Sequence, residues 1–84
     1  MTVETALAEI AAHYAVRIDG LLPRDAESMA ESAARQADDL ESLLADKRRL
    51  HDASNYVGAT EQRIIDAYRE AERNWRAAAV QMAP

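Results

Sequence analysis

The chain has 84 residues, a net charge of −5 from 10 basic and 15 acidic side chains, and no cysteine. One small domain is the most such a length holds, and the acidic balance argues against nucleic acid or an anionic membrane as main partner, since both demand a basic face. Disulfides, thiol chemistry and cysteine-based zinc sites are excluded.

The hydrophobic fraction of 49% is less generous than it looks: 19 residues are Ala, Phe is absent, and three Tyr and one Trp are the only aromatics. A chain so short of bulky core residues either packs helices closely through alanine stripes or completes its core against another chain. The opening ten residues carry two acids, no base and no apolar run, so they do not read as a secretory signal peptide. No apolar stretch is long enough to cross a bilayer. The expected location is cytoplasmic, with any export following a route that reads no N-terminal signal.

Thr2 is placed to cap a first helix with Val3, Leu7, Ile10, Tyr14, Ile18 and Leu21 on one stripe and Glu4 at the positive end of its dipole. Asp19 and Gly20 suggest its end, with Pro23 beyond, which predicts a helix over about residues 2–19, roughly 25 Å long.

Pro23 suits the first turn of a second helix, again with acids, Asp25 and Glu27, near its start. Its stripe runs Ala26, Ala30, Ala33, Ala37, Leu40, then Leu43 or Leu44, Lys47 and Leu50. The alanine half makes a floor on which the bulky first helix is expected to lie, as an antiparallel pair joined by the turn at Asp19 to Pro23.

Between Ser54 and Thr60 the pattern weakens: Asn55 and Gly58 are poor helix residues, and Thr60 followed by Glu61 offers a new cap. Yet the spacing of three and four continues through Leu50, Ser54, Val57, Glu61, Ile64, Tyr68, Ala71, Trp75, Ala78 and Met82. Either the chain turns here into a three-helix bundle, or residues 24–82 form one helix of roughly 90 Å whose far half needs a partner. The unbroken register favours continuity. The expected fold class is all-α, an antiparallel helical hairpin with a long second helix, or a three-helix bundle if the chain turns near 54–60.

Enzyme signatures are missing. The two glycines stand far apart, so no phosphate loop exists, and no Ser-His-acid set is suggested. Glu9 and His13 read as an exposed histidine beside its acid rather than as half a metal site. Lys47, Arg48 and Arg49 read as a solvated helix face. Glu31 with Arg35, and Glu72 with Arg76, have the four-residue spacing of helix-supporting ion pairs. No catalytic, cofactor-binding or metal-ligating residue is expected, and no cofactor.

The stretch Ile64 to Trp75 gathers what is left. Tyr68, Glu72 and Trp75 fall at spacings of four and three on one helix side, so a phenol, a carboxylate and the only Trp stand together. On such a stripe an aromatic is either core or part of a recognition face. The pattern Y-x-x-x-D/E resembles the C-terminal export motif of type VII (ESX) secretion substrates. The run Tyr68-Arg69-Glu70-Ala71-Glu72-Arg73-Asn74-Trp75-Arg76 is similar to the tail of EspC-like members of that group. Two departures stand out: the acid is Glu72 rather than Asp, and the Trp-x-Gly turn of WXG-type relatives is missing as such. Tyr56-Val57-Gly58 has the aromatic-x-Gly form but lies only ten residues before Tyr68, too close for the usual hairpin, so the turn at Asp19-Gly20 is the better expected bend.

The resemblance implies a small non-enzymatic helical protein, exported or accessory, with Tyr68, Glu72 and Trp75 as the export motif. Its partner would be a helical protein, either a secreted effector in a hetero-dimer or a second copy. The candidate partner face is Leu40, Leu43, Leu44, Leu50, Val57, Ile64, Tyr68, Ala71 and Trp75. The alternative is a cytoplasmic structural adaptor, a self-contained three-helix bundle or a homo-oligomeric coiled coil.

Overall fold

A computed structural model describes residues 2–17, 19–50 and 58–82. They form three helices, α1 (Val3–His13), α2 (Pro23–Leu50) and α3 (Ala59–Met82). The chain is all-α, as its periodicity indicates, with α2 and α3 packed against one another as a hairpin. Cross-helix ion pairs set their direction: Lys47 meets Glu61, and Asp38 and Glu41 meet Arg69, so rising numbers on one helix face falling numbers on the other.

The expected rod over residues 24–82 is not formed. The described residues fit within 49 × 22 × 14 Å, far short of a rod of roughly 90 Å. Two causes stand out. Folding back lets the alanine floor of α2 cover Trp75, Ala78 and Ala79 within the chain, so this half of the stripe is buried intramolecularly. At Gly58 the backbone adopts φ 92°, which glycine takes without steric cost and a continuing helix forbids. Gly58 accepts the first helical hydrogen bond from the Gln62 N–H (2.7 Å), so it stands at the head of α3 where Thr60 was the expected cap. Residues 54–57, Val57 included, lie outside the described residues.

The first helix is also shorter than its stripe predicts. Thr2 caps it as expected, its Oγ1 accepting from the Thr5 N–H at 3.1 Å, but it ends at His13 rather than near residue 19. A helical Tyr14 would use its carbonyl inside the helix. Here that carbonyl accepts the Trp75 indole N–H at 2.8 Å, and Ala15 to Arg17 continue without helix. Ile10 and Tyr14 are buried and Val3, Leu7 and Leu21 half-buried, so the stripe faces inward; Ile18 lies outside the described residues.

The expected α1–α2 pairing is likewise corrected: α1 lies along α3. The floor it was to cover is taken by α3, because the large indole of Trp75 has more apolar surface to bury there than any side chain of α1. Ala26, Ala30, Ala33 and Ala37 are completely buried, which fits the alanine reading of α2. The start of α2 is built as the sequence suggests. Leu22 accepts from the Asp25 and Ala26 N–H groups, Pro23 takes the first helical position, and the Asp25 carboxylate reaches back to the Leu22 N–H (2.9 Å).

Candidate functional site

Tyr14 is the joint of the three helices. Its carbonyl holds the Trp75 indole, its hydroxyl hydrogen-bonds the Ser32 hydroxyl of α2 at 2.9 Å, and its ring meets the Tyr68 ring edge-on with centroids 5.9 Å apart. A buried tryptophan needs a partner for its N–H, and the freed carbonyl at the end of α1 supplies it.

That joint separates the three motif residues. Trp75 is only 3% exposed and belongs to the chain's own core. Tyr68 is half-buried, packed on the clusters at both ends of the hairpin. Desolvation, with a smaller contribution from Tyr14, raises the Tyr68 phenol above its ordinary pKa, so it stays neutral and offers a hydroxyl rather than a charge.

Glu72 is 18% exposed in its side chain, and both of its oxygens are taken: Oε1 accepts from Arg69 at 3.1 Å and Oε2 from Arg76 at 3.0 Å. Burial pushes its carboxyl up, but the hydrogen bonds from Arg76 and Arg69 outweigh that and hold it below the ordinary glutamate value. The arrangement presents a neutral phenol beside an ionised, doubly held carboxylate. Arg69 does more than serve Glu72. Its Nη2 also reaches Asp38 at 2.6 Å and its Nε reaches Glu41 at 3.3 Å, so one guanidinium ties the motif to α2.

Matched against family models, curated proteins and solved structures, the chain finds no similar family, protein or structure. Its functional reading therefore rests on its own residues. Among those described, no group of three or more His, Asp or Glu side chains is arranged to hold a metal ion, and no helix is long and apolar enough to cross a membrane.

The candidate partner residues divide. Leu44, Ala71 and Trp75 are buried, Leu40, Ile64 and Tyr68 are half-buried, and Leu43 and Leu50 stand in water at 65% and 78% exposure. Val57 lies outside the described residues. The stripe resolved Leu43 against Leu44 in favour of Leu44, and Ile65, which the periodic reading passed over for Ile64, is 1% exposed. An open groove of about 590 Å³ lies between α1 and α3, with Leu7, Val16, Ala67, Arg63, Asp66 and Arg73 in its lining; Tyr68, Glu72 and Trp75 do not line it.

Arg69 and Tyr14 are the residues whose roles a one-dimensional reading did not reach. For Arg69 a signal existed: once α2 and α3 are set antiparallel with Lys47 opposite Glu61, the acids Asp38 and Glu41 fall opposite position 69. For Tyr14 none did, because its use depends on where α1 stops. The basic trio behaves as a solvated face, Lys47 pairing with Glu61 and Arg49 with Asp46.

Proposed function

We propose that the chain is a small non-enzymatic helical protein of a type VII secretion system, an exported substrate or an accessory that pairs with a larger effector. Tyr68 and Glu72 present the recognised motif. The observation that carries this reading is their pairing on the C-terminal arm of a helical hairpin, with the phenol kept neutral and the carboxylate ionised on one side of α3. Trp75, although part of the same sequence run, serves as the anchor that holds the arm in place. In a host with an intact type VII machinery, Tyr68→Ala and Glu72→Gln are expected to stop export while purified protein still unfolds cooperatively. Export of both at the normal level would remove the reading.

A second reading, a cytoplasmic adaptor formed by a self-contained bundle, is favoured by one observation: the core closes over Trp75 without a second chain. It predicts a compact monomer in sedimentation and no dependence of location on Tyr68 or Glu72.

A further inference from the structure

The four-residue spacing puts Tyr68 and Glu72 on one side of α3 whether or not α3 is folded back. Spacing alone does not orient a glutamate carboxylate, which swings on three side-chain torsions. In the structure that freedom is removed from one direction by Arg76, a neighbour on α3, and from the other by Arg69. The guanidinium of Arg69 is a rigid planar fork, so fixing two of its nitrogens fixes the third. Two are fixed by α2: Nη2 on Asp38 and Nε on Glu41. The remaining Nη1 is thereby aimed at Glu72 Oε1.

We propose that Arg69 is a positioning residue that makes presentation of the Tyr68–Glu72 pair conditional on closure of the α2–α3 hairpin. This rests on the reading of that pair as a recognition motif. On an α3 separated from α2, Arg69 has Asp66 three residues earlier as a competing partner, and the Glu72 carboxylate keeps only Arg76 as a fixed donor. The folded hairpin and the helix alone then carry the same motif letters but not the same surface, and a machine that reads Tyr68 and Glu72 also reads whether the chain is folded. The Arg69 side chain is 29% exposed and its α2 partners more so, and ion pairs in that setting add little to overall stability. Their alignment matters more than their strength.

The test uses the full chain with Asp38→Asn and Glu41→Gln combined, which frees the fork and leaves Tyr68, Arg69 and Glu72 in place. The double variant is expected to stay folded at the assay temperature. Its Glu72 carboxyl, followed by side-chain NMR, should titrate nearer the ordinary glutamate value, because an aligned donor is lost. Its export should fall about tenfold, the scale of one charge-assisted hydrogen bond. A control pair with the same charge change away from Arg69, Glu9→Gln with Asp39→Asn, should be exported normally; equal loss in the control overturns the clamp in favour of a net-charge effect. Should the double variant melt too low, Arg69→Lys, which keeps the charge without the fork and leaves α2 unchanged, carries the same comparison. Normal export of the clamp variants while Glu72→Gln is blocked overturns the clamp and leaves the motif reading standing. Normal export of Glu72→Gln alone overturns the clamp, and normal export of both Glu72→Gln and Tyr68→Ala removes the motif reading with it.

Discussion

The two ends of the α2–α3 hairpin are held by different physics. At the end containing Trp75, completely buried alanines of α2 meet Ala71, Ala78 and Ala79, with Ile10 of α1 and the Tyr14 that follows it closing the side and a buried hydrogen bond pinning the indole. At the end nearer Gly58, the core shrinks to Ala37, Leu44 and Ile65, and Leu43 and Leu50 remain in water. There the helices are stitched by charges, Arg69 to Asp38 and Glu41, and Lys47 to Glu61. Packing is indifferent to salt and to moderate acid; exposed ion pairs are sensitive to both. One hairpin thus has a firm end and a conditional end, and the candidate motif lies where they meet.

The largest expected break is at the firm end. Trp75→Ala should cost about 3 to 5 kcal/mol. At roughly 4 to 8 °C per kcal/mol for a domain of this size, the melting temperature should fall by at least about 12 °C; a shift of only a few degrees would show that the firm end is not firm. Next comes Gly58→Ala, which meets both a left-handed backbone and the Leu44 side chain. A loss of about 1 to 3 kcal/mol in urea unfolding is expected, and stability unchanged from wild type would mean that this turn is not the constraint described. Tyr14→Phe removes the bond to Ser32 and should cost about 1 kcal/mol. A double-mutant cycle with Ser32→Ala should return most of that as coupling.

A pH titration sharpens the contrast without mutation. Hydrogen bonding from Lys47 lowers the Glu61 carboxyl, and Arg76 and Arg69 lower that of Glu72 against its burial. A carboxyl lowered in the folded state stabilises fully above its unfolded value, about 4.3 for glutamate, and that contribution disappears as pH falls through the lower folded value. Acidification from pH 5 towards 3 should therefore perturb amide signals of residues 38–50, 58–69 and 72–76 before those of 23–37 and 77–82; the reverse order would break the comparison. Smallest of all, Leu43→Ser should change stability by no more than about 0.5 kcal/mol, since its side chain already faces water.

Helix content, the alanine floor, the Thr2 cap and the Pro23 start were legible because each depends on neighbours within one turn. What was not legible depended on a choice between partners. A stripe of three-four spacing looks the same whether its cover comes from the same chain or another, so Trp75 read equally as core and as surface. Gly58 hinted at the break, but the apolar spacing runs past it, and only its left-handed backbone against Leu44 shows the turn that stops the helix. The early end of α1 is set from residue 75, some sixty positions away, and no local pattern announces it. Within the motif, Tyr68 and Glu72 stood out by type, whereas Arg69 looked like one more helix charge until its partners on α2 were in place.

The bond from Trp75 to the end of α1 also gives the molecule a built-in optical gauge. Its single tryptophan sits where all three helices join, shielded from water and donating to the Tyr14 carbonyl just past α1. Any event that lifts α1 away hands that indole to solvent, and its emission shifts to the red without an attached label. Docking of the first helix, a motion too small to change helix content much, is written in the colour of the protein's own fluorescence.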